Sequence, residues 1–559
     1  MDFIPREIFE LIVQHLPNAD RKNLRLTSRE VHERVPFRIE RVFLSPSYKN
    51  IEVFRAILAD DHWRKQVQEI IWDDAKFSQP ASGTFLCGCE DYEVEWDGEE
   101  ETEEMARARL RKIYPTLLSC ALTTPATWHW VPQKETVVSD HLEYADNKDF
   151  SRWFPVGNAD ALPTEENNEI NRRLAVEQID IVNAGTDREL FRAGLTSFPA
   201  LKRVVVTSTM HRMFPFLHEY DSPLLRSLPK GFRMRGPDDW NPLISRYDDA
   251  DYDKVCCWVW RGFNIVVEEL NNLHGQHNVS ELLINPSRKP VGVNQKLLDR
   301  PDNPPVMYST LYQLFQSVQL TRLELSLRVA EFLRDWGFLR NGLLKSALEQ
   351  LTELQVFSLH TTTETNIDVR EFYTEKDATA LADYLPVQAW PHLQSLTLAR
   401  LIVLEDDLLN FIRSLPSHVD EINLETIRIY KGDWRSLYAQ VKEDIALGYH
   451  PQSPRFRFSA QQQTTSRYIR IDDELHEFLY RSGPNPFDGD LPPHRIQFGF
   501  GVVIDEYDKS YQERYLPPKW FRNVGPGRWV DLPWENEELT PSLDITSLLN
   551  SKRLICRSG

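Results

Sequence analysis

The apolar positions of "PREIFELIVQHL", residues 5–16, recur at helical spacing and predict a helix from Pro5 to Leu16. Placed at about 100° per residue, Ile8, Phe9, Leu11, Ile12, Val13 and Leu16 cover roughly 200° of its circumference. A helix that docks only onto its own domain needs a stripe of about 100°. Half of the arc is therefore predicted to face something else. After Ser28 the helical pattern continues through Val31 and Val35 until Pro36 stops it. Residues 48–72 predict one or two further amphipathic helices, and residues 106–122 another. Between them, residues 89–104 are dense in carboxylates and read as a solvated loop. Residues 132–170 are polar, with "DALPTEENNEIN" an exposed loop.

From about residue 186 the pattern changes to short β-type runs, each preceded by a helical segment. The runs fit an L-x-x-L-x-L skeleton: Leu201/Val204/Val206, Val279/Leu282/Ile284, Leu320/Leu323/Leu325, Leu354/Phe357/Leu359, Leu393/Leu396/Leu398 and Val419/Ile422/Leu424. Residues 306–318, 341–351, 374–385 and 404–415 carry helical spacing between them. In that skeleton the last two apolar side chains share one face of a strand and the first turns inward at the preceding bend. Such alternation predicts a mixed α/β chain, either a compact α/β domain or a stacked solenoid, and the L-x-x-L-x-L spacing favours a leucine-rich-repeat-like solenoid. The repeats are irregular. Strands start 78, 41, 34, 39 and 26 residues apart, and Thr209, Ser287, Arg328, Thr362, Leu401 and Ile427 stand where a turn-closing Asn is usual. The longest gap holds an insertion around residues 235–253. Residues 494–508 read as strand, and the Trp/Pro-rich segment after them reads as a terminal cap in which Trp520, Trp529 and Trp534 pack. The organisation predicted is a helical module at 1–45, a helical connector with acidic and polar loops at 46–185, the α/β solenoid at 186–450, and a C-terminal cap at 451–559.

Composition narrows the function classes. With 559 residues, 41% of them hydrophobic and 11% aromatic, the chain can build a substantial core. The 65 basic and 84 acidic residues leave a formal charge of −19 and no long basic run, which argues against nucleic acid or an anionic membrane as partner. Six scattered cysteines do not make a disulfide framework. With no signal-peptide pattern and no long apolar span, a cytoplasmic or nuclear location is expected.

No catalytic motif emerges. Carboxylate pairs such as Asp472/Asp473 and Asp505/Glu506 arise by chance in so acidic a chain. The "GFG" at 499–501 lacks the rest of a dinucleotide loop, and neither a P-loop nor a nucleophile elbow is present. His274 and His277 follow Cys256 and Cys257, but adjacent cysteines do not easily bind one zinc ion, and Cys87-Gly-Cys89 is equally thin. No metal, cofactor or enzymatic activity is expected.

The N-terminal stretch has Ile4-Pro5, Glu7-Ile8, Ile12 and Leu16-Pro17, then Asp20 and "NLRLTSREV" with Leu24, Leu26 and Ser28. In that order these residues resemble the F-box, the helical module through which substrate receptors join SCF-type cullin–RING ubiquitin ligases. The wording is most similar to F-box-like proteins of filamentous fungi with divergent leucine-rich repeats. The match spans about forty residues, and Arg21-Lys22 and Val31 depart from the family pattern, which has apolar residues and Trp there. The resemblance implies that Ile4, Pro5, Ile8, Ile12, Leu16, Pro17, Leu24 and Leu26 form the face for a Skp-type adaptor, with Phe9 and Val13 packing inward. It further implies a non-catalytic substrate receptor that tethers a target protein through its repeats. The strand positions alternating with the apolar skeleton, Arg203, Glu281, Arg322, Glu324, Ser358, His360, Thr397, Glu421, Asn423 and Glu425, are the candidate target contacts. The alternative is an interaction scaffold that uses F-box-like helices without directing ubiquitination.

Overall fold

The structure, a computed structural model, describes residues 5–16, 18–35, 38–74, 77, 162–207, 222–229, 232, 260–284, 292–329, 336–361, 375, 378–448, 453–461, 468–487 and 495–497. It is a mixed α/β architecture dominated by one large, mainly parallel sheet. The strands are β1 (Arg41–Leu44), β2 (Glu69–Asp73), β3 (Arg203–Thr207), β4 (Glu281–Ile284), β5 (Val293–Asn294), β6 (Arg322–Arg328), β7 (Val356–Thr361), β8 (Ser395–Ala399), β9 (Ile402–Leu404), β10 (Glu421–Glu425), β11 (Arg428–Lys431), β12 (Arg455–Gln461), β13 (Tyr468–Arg470) and β14 (Arg495–Gln497). The main sheet runs β1-β2-β3-β4-β6-β7-β8-β10-β12-β13-β14, with β5 beside β6, while β9 and β11 pair separately. Pairing is parallel from β1 to β12, and the two pairs β12–β13 and β13–β14 are antiparallel.

Register explains why the skeleton residues cluster. Val204, Leu282, Leu323, Phe357, Leu396, Ile422 and Phe456 stand side by side across consecutive strands, and so do Val206, Ile284, Leu325, Leu359, Leu398, Leu424 and Phe458. Because strand side chains alternate, both rows project from one face. That face is buried under the helices, including Tyr48–Ala59, Thr186–Ser197, Arg261–Asn272, Val306–Ser317, Glu405–Ser414 and Trp434–Ala446. The leading residues Leu201, Leu320, Leu354 and Leu393 are fully buried beneath the bends.

Five features differ from the sequence reading. The sheet begins at β1 and β2, not near residue 201. The stretch read as helix up to residue 72 ends with helices Tyr48–Ala59 and Asp61–Arg64, and the Ile70-Ile71-Trp72 run becomes a strand buried on both faces. The predicted loop through 170 contains most of the first half of helix Thr164–Ala184. There Ile170, Leu174 and Ala175 form its apolar stripe, while the Asn171 amide donates to the Asn167 carbonyl at 2.8 Å and Gln178 accepts from the Phe77 amide at 3.1 Å. Over 374–385, where helix is predicted, the described residues hold no α-helix, only 3₁₀ geometry at residue 375 and in the turn Leu381–Asp383. Finally, β12 extends the parallel sheet past the predicted boundary at 450. The 106–122 helix, the acidic loop and the three tryptophans of the cap lie outside the described residues.

Buried carboxylates link successive helices. Arg413 grips Asp444 with Nε at 2.7 Å and a second nitrogen at 3.0 Å. Glu405, at the start of its own helix, accepts from the Asp433 amide at 2.7 Å and from the Ser436 hydroxyl, fastening the next helix's N-terminus. Glu269, with no exposed side-chain surface, takes Arg188 at 2.6 Å and Arg192 at 2.7 Å. Burial opposes its charge, but hydrogen bonds from Arg192 and Arg188 outweigh that and hold its carboxyl below the usual glutamate range. A depressed folded pKa means this stabilisation is complete above the ordinary carboxylate pKa and disappears as pH falls through the lower folded value. Glu269→Gln is expected to cost about 1.5–3 kcal/mol at pH 7, and the difference from the native chain should close in acid, read by urea titration across pH. Tyr438 supplies a test of opposite sign. Its hydroxyl is buried with no hydrogen-bond partner among the described residues, and burial, assisted by Asp472, pushes its pKa far up. Tyr438→Phe should therefore stabilise the chain by about 1 kcal/mol in the same titration.

Candidate functional site

Two surfaces hold the residues singled out by the sequence. The first is the N-terminal helical module of Arg6–His15, Asn18–Arg25 and Arg29–Arg34. The third helix starts at Ser28, whose Oγ accepts from the Val31 amide at 3.2 Å. Arg25 ties the second helix to the third, donating to the Val35 carbonyl at 2.6 Å and meeting His32 Nε2 at 2.9 Å. Arg21, at a position where the family pattern is apolar, is buried and donates from Nε to the Leu16 carbonyl at 2.9 Å. It closes the C-terminal end of the first helix and takes no part in the exposed face.

The wide apolar arc divides in two. Phe9 and Val13 point inward and form a small core with Val31 and Val35, against which Leu24 is partly buried. Ile8, Leu11 and Ile12 point outward with 49%, 52% and 44% of their surface exposed, and Leu26 is 77% exposed. Leu11 was not among the predicted contacts, although its angular position between Ile8 and the polar side of the helix carried the signal. Pro5 is exposed as the N-cap, Leu16 is half-buried, and Leu24 packs toward the inner cluster. Ile4 and Pro17 lie outside the described residues.

The second surface is the sheet face opposite the helices. Register gathers all ten predicted target contacts there. Arg203, Glu281, Arg322 and Glu421 lie in one row across the strands, Glu324, Ser358, Thr397 and Asn423 in the next, and His360 and Glu425 in a third. Seven of them are not accessible to a target as they stand. Arg203, Glu324, Ser358, His360, Thr397, Asn423 and Glu425 are buried, and only Glu281, Arg322 and Glu421 keep intermediate exposure. The charges meet one another: Arg41 pairs with Glu69, Arg203 with Glu281 at 2.5 Å, Arg322 with Glu324 at 3.0 Å, and Arg457 with Glu421 at 3.1 Å. Asn423 donates to Glu425 at 2.6 Å. Adjacent strands set opposite charges side by side, so the face is largely neutralised from within. In the middle row the first strands carry Phe43, Ile71, Val205 and Leu283 instead, an apolar group the sequence reading missed because it fell on the nominally polar positions.

The histidine considered for zinc has a structural task. His277 Nδ1 accepts from the Val279 amide at 3.2 Å and its Nε2 meets the Leu270 carbonyl at 2.9 Å, and burial lowers its pKa. Among the described residues no group of three or more His, Cys, Asp or Glu is placed to hold a metal ion, and no helix is long and apolar enough to cross a membrane.

No protein-family model matches the chain, and neither does any curated protein.

The inward and outward halves of the first helix should respond oppositely to substitution. Ile8→Glu and Ile12→Glu are expected to change stability by less than about 0.5 kcal/mol, because both sites are solvated. Val13→Ala opens the small inner core and should speed proteolytic cleavage within residues 5–35 several-fold, read by limited digestion.

Proposed function

We propose that this chain is the substrate-recognition subunit of an SCF-type cullin–RING ubiquitin ligase. The observation that carries the reading is the exposure of Ile8, Leu11 and Ile12 along one side of the first helix and of Leu26 after the second, beside an inner core of Phe9, Val13, Val31 and Val35. Four large apolar side chains clustered in one short segment, each 44–77% exposed, mark an interaction surface more than an ordinary solvated one. Covering them at about 1.5–3 kcal/mol each supports a stable complex after association costs. A Skp-type adaptor is the partner that the order of the N-terminal residues favours.

The strand order supports reading the remainder as a leucine-rich-repeat-like solenoid, since each parallel strand pairs with its neighbours in sequence order across β1 to β12, β5, β9 and β11 apart. In this reading the solenoid holds a target protein, and of the ten nominated residues Glu281, Arg322 and Glu421, which keep partial exposure, are the ones able to touch it. The chain contributes proximity and no chemistry of its own: tethering raises the effective concentration of target beside a ubiquitin-loaded enzyme.

The test is co-purification with a Skp-type adaptor. The native chain is expected to bind, and Ile8→Glu/Ile12→Glu to lose binding by at least about 100-fold while keeping its circular dichroism spectrum. An adaptor that ignores the native, folded chain sinks the ligase reading. Binding without any effect on target turnover would favour the scaffold instead.

A further inference from the structure

We infer that β12, β13 and β14, on the sheet face opposite the helices, form a docking strip for an extended acidic segment of a second protein. Only the identification of that protein with a ligase target rests on the receptor reading above; the strip itself does not.

From β1 to β6 this face sets opposite charges side by side. Arg41 lies beside Glu69 and Arg203 beside Glu281, while Arg322 reaches Glu324 at 3.0 Å. The matching stops at β12. Alternation puts Arg455, Arg457 and Ser459 on the face away from the buried Phe456 and Phe458. Antiparallel register carries that face outward, because Ser459 pairs with Arg470 and Arg470 with Arg495. Four arginines thus share one face of three strands, and no position on that face of β12, β13 or β14 is a carboxylate. In a chain with 84 acidic and 65 basic residues, composition alone favours the reverse.

The strip's neighbours leave it charged. Arg455 is exposed and makes no ion pair among the described residues, although Glu421 stands beside it in register. Glu421 turns to Arg457 at 3.1 Å, and Arg457 Nε finds no hydrogen-bond partner among the described residues. Arg470 and Arg495 occupy directly opposed positions, where like charges destabilise a strand pair. Protection of a sheet edge accounts for Arg495 on the outermost strand, but not for the three arginines of β12 and β13, which have a strand on either side. An anion laid over the strip removes the repulsion. The four positions spread over about 13 Å along the strands and about 10 Å across them, too far for one small anion and suited to several carboxylates of an extended chain. Guanidinium forks take carboxylates two oxygens at a time. The net charge of −19 argues against nucleic acid as the occupant.

Fluorescence anisotropy on the full chain tests this, with a labelled peptide of alternating Glu and Ser as probe and its Gln/Ser counterpart as control. The Glu peptide should bind at least about tenfold tighter than the control at low salt, and weaken at least about tenfold as salt is raised. Arg455→Glu/Arg495→Glu should lose at least about tenfold in affinity, whereas Arg29→Glu, at an exposed site in the N-terminal module, should leave it unchanged. Equal binding of the two peptides, or a charge-reversed chain that binds as the native one does, overturns the inference. A single-stranded RNA that outcompetes the Glu peptide overturns the class of partner. A chain that binds only after the carboxylates of residues 90–104 are exchanged for amides overturns it too, since the occupant is then the chain's own acidic run. None of these measurements uses the adaptor. Ile8→Glu/Ile12→Glu should bind the peptide normally, so the strip and the ligase reading can fail separately.

Arg470→Glu supplies a second arm. It sets opposite charges at the position paired with Arg495, so the urea midpoint should rise while affinity for the Glu peptide falls at least about threefold. Unchanged affinity overturns the inference whatever happens to the midpoint, because arginines that serve only the sheet are not felt by the peptide.

Discussion

The register of the parallel strands is the constraint on which the rest of this protein depends. Every strand from β1 to β12 must meet its neighbours with the same two apolar rows facing the helices. A slip of one residue would turn each row to the opposite face. Once register is set, the positions of the connecting helices follow, because each must lie over the rows that its flanking strands present. The charged row on the far face follows too: Arg41, Glu69, Arg203 and Glu281 alternate in sign because adjacent strands put them side by side. The wrong register would disperse those pairs as well as expose the core, so both faces specify the same alignment.

The L-x-x-L-x-L spacing makes most strands readable from the sequence, whether they alternate, as in Leu323-Glu324-Leu325, or are apolar on both faces, as in Val204-Val205-Val206. The Ile70-Ile71-Trp72 strand keeps that spacing with Val67 but continues directly from a helical pattern, and it reads as the end of the helix. Helix Thr164–Ala184 was hidden because it buries polar residues: Asn171 and Gln178 are satisfied by backbone bonds that no composition reveals. At the N-terminus periodicity predicts the helix, and the resemblance implies the inward turn of Phe9 and Val13; angular position separates them from Ile8 and Ile12 without telling which half faces in. Leu24 was assigned outward but packs in, since the angle between two short helices is invisible in either one alone. On the sheet face, alternation puts all ten nominated residues on one face and misses the burial of seven, which depends on pairing between strands far apart in sequence, as between Glu69 and Arg203.

The two surfaces thus differ in physical character. From β1 to β10 the sheet face pairs its charges internally, and a partner there would have to compete with bonds already made. The N-terminal face makes no such demand, for its side chains give up only contact with water. Association through the first costs broken ion pairs, whereas association through the second releases solvent from apolar surface.

One feature of the sheet bears on how such a chain changes length. Arg400 and Thr426 both have positive φ, 57° and 51°, immediately after β8 and β10, although neither is glycine. They are 26 residues apart, the same offset that separates Ser395 from Glu421 and Ile402 from Arg428 in the pairing. Strand, left-handed corner and short second strand thus recur as a block with one fixed period. Removing 26 residues at this point would join Ala399 to Thr426 with the corner and the register preserved. Copying the block would likewise lengthen the sheet by one strand without disturbing its neighbours. At this place, then, chain length and strand number are tied to one another in steps of 26 residues.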